Sequence, residues 1–253
     1  MTLLWNGVAV ALLTFFDDEG AVDLATTAKH AARLVGEGVH AIVIAGSTGE
    51  ASALTDTERA ELVAAVKAAC PDVPVVSGAS GDWWQPAAAR VAGVVAAGAD
   101  GVLVAPPRTA TDLGAYYSAV SAAAGSVPVL GYHYPGTAGG PIPLDALPGL
   151  PLAGMKDSTG EPERFLTTLE SWDGALYTGS VLLTAYAGLV GAAGAILAAA
   201  NVAPEDCVAA WSGDAAAQRR LLSVHRDARR AFPRGLKEAT AARFGTPLGS
   251  RLG

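Results

Sequence analysis

The sequence predicts a single α/β domain: a (β/α)8 TIM barrel over about residues 7–212, followed by short C-terminal helices over residues 213–253. Three observations predict it. Short apolar runs alternate with helical patterns almost throughout, the signature of repeated βαβ units. Eight such pairs follow one another with short connections. The length, 253 residues, suits one barrel of this kind.

The elements read in order as follows. Gly7–Leu13 is an apolar strand. Val22–Val35 is a helix with Leu24, Ala28, Ala31 and Val35 at helical spacing. His40–Ala45 is the second strand and Thr55–Ala69 the second helix, where Thr55 and Glu58 form a capping box. Val73–Ser77 with Pro86–Ala97, and Gly101–Ala105 with Asp112–Ala124, are the third and fourth pairs. Val127–Tyr132 is strand five, followed by a short helix near Leu144–Leu147. Leu152–Lys156 and Pro162–Leu169 make pair six, Ala175–Thr178 and Leu182–Val190 pair seven, and Gly194–Ala199 strand eight. Helices from Pro204 to Phe232 and around Gly235–Phe244 close the chain. An open doubly wound sheet is the rival, but no strand-end GxGxxG supports it.

Composition narrows the function classes. Half the residues are hydrophobic (51%) and only 16% are charged, enough to bury a large core. The net charge of −7 and the lack of a basic, aromatic-studded stretch argue against nucleic acid. Cys70 and Cys207 lie far apart and form no redox or metal motif, which fits free thiols in a cytoplasmic protein. The four histidines show no ligand spacing, so no metal is expected. No basic leader segment is visible at the N-terminus. Val181–Pro204 carries no charge, but Gly188, Gly191 and Gly194 divide it into helix, turn and strand, so no membrane span is expected.

The chemistry of a barrel sits at the C-terminal ends of its strands. Lys156 ends the apolar run Leu152-Ala153-Gly154-Met155, where an ammonium group is costly. A lysine in a dry pocket has its neutral amine favoured, and a neutral amine can attack a carbonyl. The plainer alternative is a strand-end lysine paired with Asp157. Lys29, Lys67 and Lys237, in helical segments, read as solvated. Gly46-Ser47-Thr48-Gly49-Glu50 after strand two is a small hydroxyl-rich loop whose backbone can approach an anion, or else an ordinary turn. Tyr132 at the end of strand five points toward the barrel mouth, where a phenol could shuttle protons beside a reacting amine. Trp83 and Trp84 after strand three read as an aromatic wall for sugar stacking or as loop packing.

Four segments together, Gly46–Glu50, Tyr132-x-x-Pro135-Gly136, Gly154-Met155-Lys156-Asp157 and Ala200-Asn201-Val202-Ala203-Pro204, resemble the dihydrodipicolinate synthase / N-acetylneuraminate lyase family of pyruvate-dependent class I aldolases. The resemblance implies that Lys156 forms an imine with the keto carbon of pyruvate or a related 2-keto acid, with no metal or organic cofactor. It implies Tyr132 as general acid/base. Thr48, with Gly46, Ser47 and the loop amides, would bind the keto-acid carboxylate and orient Tyr132. The backbone carbonyl of Ile196 would lie near the pyruvate unit. A homo-oligomer is implied as well.

The chain also departs from the family pattern. A tyrosine pair after strand four is replaced by Pro107 and Arg108, so the family's hydroxyl relay is missing. The arginine expected after the strand-five proline is missing from Gly136-Thr137-Ala138; Arg108 could replace it, and Thr137 could offer a hydroxyl. The C-terminal region is shorter than usual. Tyr132-His133-Tyr134-Pro135 is similar to the 2-keto-3-deoxy-sugar-acid aldolase branch. The expectation is therefore cleavage of a 2-keto-3-deoxy acid, or condensation of pyruvate with a hydroxylated aldehyde. The alternatives are 4-hydroxy-tetrahydrodipicolinate synthase activity and a non-catalytic keto-acid-binding homologue.

Overall fold

The computed structural model describes residues 3–252. Eight parallel strands close into one barrel in chain order. They are β1 (Gly7–Ala11), β2 (Ala41–Ile44), β3 (Val75–Gly78), β4 (Gly101–Val104), β5 (Val129–His133), β6 (Gly154–Asp157), β7 (Ala175–Thr178) and β8 (Gly194–Leu197). β8 pairs with β1 through Ala9↔Ile196 and completes the ring. The helices are α1 (Leu24–Gly36), α2 (Asp56–Ala69), α3 (Trp84–Ala96), α4 (Leu113–Ala124), α5 (Pro162–Ser171), α6 (Thr184–Leu189), α7 (Pro204–Trp211), α8 (Ala215–Arg229) and α9 (Arg234–Phe244).

Every strand is buried on both faces, because one face meets the helices and the other the barrel interior. Strand alternation divides the two sets. Val8, Val10, Ile42, Ile44, Met155 and their like pack outward against the helices. Ala9, Ala11, Ala41, Val43, Leu130, Tyr132, Tyr177 and Ile196 fill the interior. Trp5 stacks on Tyr177 at 4.2 Å between ring centroids, and the Tyr177 hydroxyl donates to Trp5 O at 3.3 Å. This pair plugs the end of the barrel from which β1 starts. Gly194 makes room for it: a β-carbon there would lie 3.0 Å from the Tyr177 ring.

Most predicted elements are present, and the capping box of Thr55 and Glu58 starts α2. Some details differ. The stripe of α1 that is fully buried is Thr27, His30, Ala31 and Leu34, with Leu24, Ala28 and Val35 half-buried beside it. The helix expected near Leu144–Leu147 is only a 3-10 turn at Leu147–Gly149, because Pro143, Pro148 and Gly149 interrupt it. The stretch Pro204–Phe232 contains two helices, broken at Gly213 (φ 96°), with Asp214 capping α8 through the amides of Ala216 and Ala217. Past Phe244 the chain is extended rather than helical: Gly245 (φ 67°) ends α9, and Pro247 and Gly249 disfavour a restart. Among the described residues no helix is long and apolar enough to cross a membrane.

Candidate active site

Gly154 and Lys156 take the inward positions of β6, while Met155 and Asp157 face the helices. Lys156 is only 7% exposed, level with Tyr132 of β5 on one side and Tyr177 of β7 on the other. Its Nζ lies 4.6 Å from the Tyr132 ring centroid. The pairing with Asp157 is not made. Asp157 Oδ2 accepts instead from Arg164 Nε at 2.9 Å, and Oδ1 from the Thr159 amide at 2.8 Å and hydroxyl at 2.6 Å. Strand alternation is the reason: adjacent residues of one strand point to opposite faces. Lys156 is left without an ion pair among the described residues.

Two groups beside Lys156 were not assigned a role from sequence. Gly179, just past β7, has no room for a side chain. A β-carbon there would lie 1.8 Å from Ser158 Oγ and 2.8 Å from Lys156 Cε. Ser158 Oγ is itself buried with no hydrogen-bond partner among the described residues. A buried hydroxyl left unsatisfied is costly, so its position next to the Lys156 side chain suits a group that bonds a ligand. Only the three-dimensional meeting of β6 and β7 reveals this.

The loop Gly46–Glu50 lies between β2 and α2. Two non-glycine residues in the left-handed region bracket it, Ala45 (φ 50°) and Glu50 (φ 55°). Such residues persist only where the surroundings hold them. Here Arg59 of α2, almost fully buried, donates to Ala45 O (3.1 Å), Gly78 O (2.9 Å) and Ala51 O (2.9 Å). Burial lowers the Arg59 guanidinium to about 10, still cationic at neutral pH. Thr14, three residues past β1, donates to Gly49 O at 2.8 Å. The amides of Ser47 and Thr48 donate to no backbone carbonyl among the described residues. Thr48 is buried, and Gly46 and Ser47 are half-buried. Rigidly held, unspent N–H groups beside two hydroxyls offer donors that suit a carboxylate.

Lys237 was read as solvated; this is wrong. It is fully buried on α9, and its Nζ pairs with Glu50 Oε1 at 2.5 Å. A lone lysine among the C-terminal arginines is the only hint the sequence offers. His133 also faces away from the mouth, as its parity with Tyr132 requires. Its Nδ1 accepts from the Ile142 amide at 2.9 Å, and burial, helped by Arg164, lowers the imidazole to about 4.

The remaining candidates lie around the mouth. Ile196 is an inward, fully buried residue of β8. Thr137 and Arg108 are exposed, and Arg108 donates to Gly136 O (2.7 Å) and Thr137 O (3.4 Å). The strand-five loop rests directly on the end of β4: Gly140 N donates to Pro106 O at 2.9 Å, and a β-carbon on Gly139 would lie 2.3 Å from that oxygen. Tyr116 and Tyr117 of α4 do not restore the missing tyrosine pair. Their hydroxyls are spent on Ala105 O and Val104 O, and burial pushes Tyr116 up to about 12. Trp83 and Trp84 are about half exposed, 5.7 Å apart edge to face, and line an open cleft of about 310 Å³ with Asp82, Pro107 and Tyr116. Their exposure disfavours loop packing as their whole role. Among the described residues no three His, Cys, Asp or Glu side chains cluster as metal ligands.

Comparison with known proteins fits this geometry. Residues 4–241 match the family model described as the dihydrodipicolinate synthetase family. An uncharacterized DapA-like lyase of Halobacterium salinarum is 33% identical over 244 residues, covering 91% of this chain and 80% of that protein. The 4-hydroxy-tetrahydrodipicolinate synthase of Xanthomonas axonopodis pv. citri is 35% identical over 236 residues, covering 89% and 74%. The crystal structure of a dihydrodipicolinate synthase from Bacillus anthracis superposes with a TM-score of 0.90 at 25% identity, covering 98% of this chain and 91% of that one.

Proposed function

The chain belongs to the dihydrodipicolinate synthetase family, whose members are Schiff-base-forming, pyruvate-dependent class I aldolases and lyases, and on that premise we propose how its own residues divide the work. Lys156 Nζ attacks the keto carbon of pyruvate or a larger 2-keto acid. Counted from the ammonium form, the nitrogen gives up two protons, one before it attacks and one after; both leave with the carbonyl oxygen as water, and a protonated imine remains. Tyr132 moves those protons. Thr48, Ser47 and the free amides of the Gly46–Glu50 loop hold the carboxylate, with the Ile196 carbonyl beside the three-carbon unit. The imine then accepts the electron pair released when C3 loses a proton, or when the C4 hydroxyl loses its proton, the C3–C4 bond breaks and C4 leaves as an aldehyde; an enamine forms in either case. Attack of that enamine on an aldehyde runs the reaction toward synthesis, and holding both partners in one well supplies the entropic advantage.

The single observation that carries this reading is a buried lysine with no acidic partner, facing a tyrosine on the next strand inside the mouth. For the aldehyde, we favour a hydroxylated one. No side chain of Gly136-Thr137-Ala138 is cationic, and Trp83 and Trp84 offer exposed rings for stacking on sugar C–H faces. The second reading, condensation with aspartate semialdehyde, rests on Arg108, whose bonds to Gly136 O and Thr137 O bring a guanidinium to that loop. A homo-oligomer and a cytoplasmic setting belong to the same proposal; the two buried free thiols fit the latter.

Pyruvate with borohydride should leave a reduced adduct on Lys156 and on no other lysine, read by peptide mass mapping. An unmodified Lys156 after a panel of 2-keto acids rejects the imine and leaves a non-catalytic homologue. Side-by-side kcat/KM values separate the two aldehydes. An advantage of about tenfold for aspartate semialdehyde, about 1.4 kcal/mol in the barrier, favours the Arg108 reading.

A further inference from the structure

The C-terminal segment bonds to the loop assigned to the keto-acid carboxylate, across about two hundred residues of sequence. Glu50, the last residue of that loop, is fully buried, and both its oxygens are occupied from the C-terminal side. Oε1 accepts from Lys237 Nζ at 2.5 Å. Oε2 accepts from Ser250 Oγ (3.0 Å) and from the amides of Arg251 and Leu252 (2.8 Å each). Lys237 Nζ also donates to Gly249 O at 2.5 Å, so one ammonium joins loop, helix and tail. Arg251 reaches further along the same wall, to Glu58 Oε1 (2.6 Å), Ala53 O (2.8 Å) and Gly20 O (2.7 Å). Lys237 and Arg251 each lie 4.7 Å from the Phe16 ring centroid. Gly249 passes so close to Phe16 that a β-carbon would lie 2.7 Å from its carbonyl oxygen.

This is a poor way to gain stability alone. Burying a lysine and a glutamate together costs their hydration, and apolar residues of the same size would hold a tail as well. What the pair does specifically is fix Glu50 in its left-handed conformation, and with it the course of the chain from Gly46 onward. Burial opposes the Glu50 charge, but the bonds from Lys237, Leu252 N and Ser250 outweigh it and hold the carboxyl below its ordinary value. The ionised form that the strap requires is therefore the form present at neutral pH.

We propose that residues Gly249–Leu252 and Lys237 form a strap that sets keto-acid affinity by fixing Glu50 and the Gly46–Glu50 loop, with Lys237, Ser250 and Arg251 as positioning residues. The inference rests on the reading of that loop as the carboxylate site. The test uses full-length Arg251→Gln and Lys237→Met, singly and combined, with pyruvate and borohydride. Two quantities are read: the pyruvate concentration giving half the maximal rate of trapping at Lys156, and the limiting rate at saturation. The combined variant should raise the first at least about tenfold and leave the second within about twofold. Arg251→Gln alone should raise it several-fold, which keeps the test decisive if Lys237→Met does not fold, and Arg251→Lys should recover part of the loss. A folded variant with wild-type half-saturation, or one with only a lower limiting rate, overturns the strap and leaves a purely structural role. Wild-type protein that remains unmodified overturns the reading of the site itself, and the inference with it.

Discussion

Gly179→Ala is the sharpest perturbation of the amine. Its backbone is outside the left-handed region, so alanine meets no conformational penalty there. The obstacle is space. The new methyl would sit 1.8 Å from Ser158 Oγ, 2.9 Å from Ser158 Cβ and 2.8 Å from Lys156 Cε. Carbon atoms in contact prefer 3.5–4.0 Å, so Lys156 Cε must retreat by roughly 1 Å and Ser158 must turn. The atoms that yield are side-chain ends rather than backbone, so the fold should survive at the usual overpacking cost of about 1–3 kcal/mol. Catalysis should not. A misplacement of about 1 Å costs on the order of a hundredfold in rate, about 2.7 kcal/mol of barrier. The assay pairs thermal unfolding with kcat/KM and the rate of borohydride trapping. Ser158→Gly in the Gly179→Ala background removes the nearer clash but leaves the contact with Lys156, so it should restore stability more than activity. Near-wild-type trapping and turnover in folded Gly179→Ala would refute the claim that Lys156 is held in place by the empty space at position 179.

Two further outcomes are expected. Tyr132→Phe should fold normally, still trap pyruvate slowly on Lys156, and lose at least about a hundredfold in kcat, the common scale for a general acid/base; ordinary turnover would assign the proton transfer to another group. Stability should fall from pH 7 toward pH 4, because His133 and His30 are buried and take a proton only at about 4, against 6.5 when unfolded. Between those values the unfolded chain binds more protons, so their contribution is complete above pH 6.5 and is lost by pH 4. The loss is up to about 3 kcal/mol for His30, and His133 adds to it with the same sign. His133→Asn, which keeps an acceptor for the Ile142 amide, should flatten the profile of Tm against pH, and an unchanged slope would show that His133 is not its source.

The barrel was legible because its strands are short apolar runs bounded by turn residues, and local pattern is what a sequence displays directly. Lys156 stood out for the same reason, as the one lysine in such a run. Tyr132 followed from its place at the end of a strand. His133 was readable too: if Tyr132 points inward, its neighbour on the same strand points outward. Arg59 and Lys237 were not readable. Each acts on atoms far along the chain, on carbonyls of β2 and β3 or on a carboxylate near position 50, and helical periodicity carries no record of such partners. Gly179 was invisible for a related reason, since the value of a missing side chain depends on what another strand brings next to it.

The clasp made by Arg59 has a consequence for how this site can change. The guanidinium holds Ala45, Ala51 and Gly78 through main-chain oxygens only. Every residue type presents that same oxygen, so the clasp does not depend on which side chains the loop carries. The course of the loop and its side-chain lining are thus under separate control. Exchange of Ser47 or Thr48 leaves all three bonds of the clasp in place. Two side chains of the loop can therefore change while Arg59 at its start, and the bonds to Glu50 at its end, keep their partners.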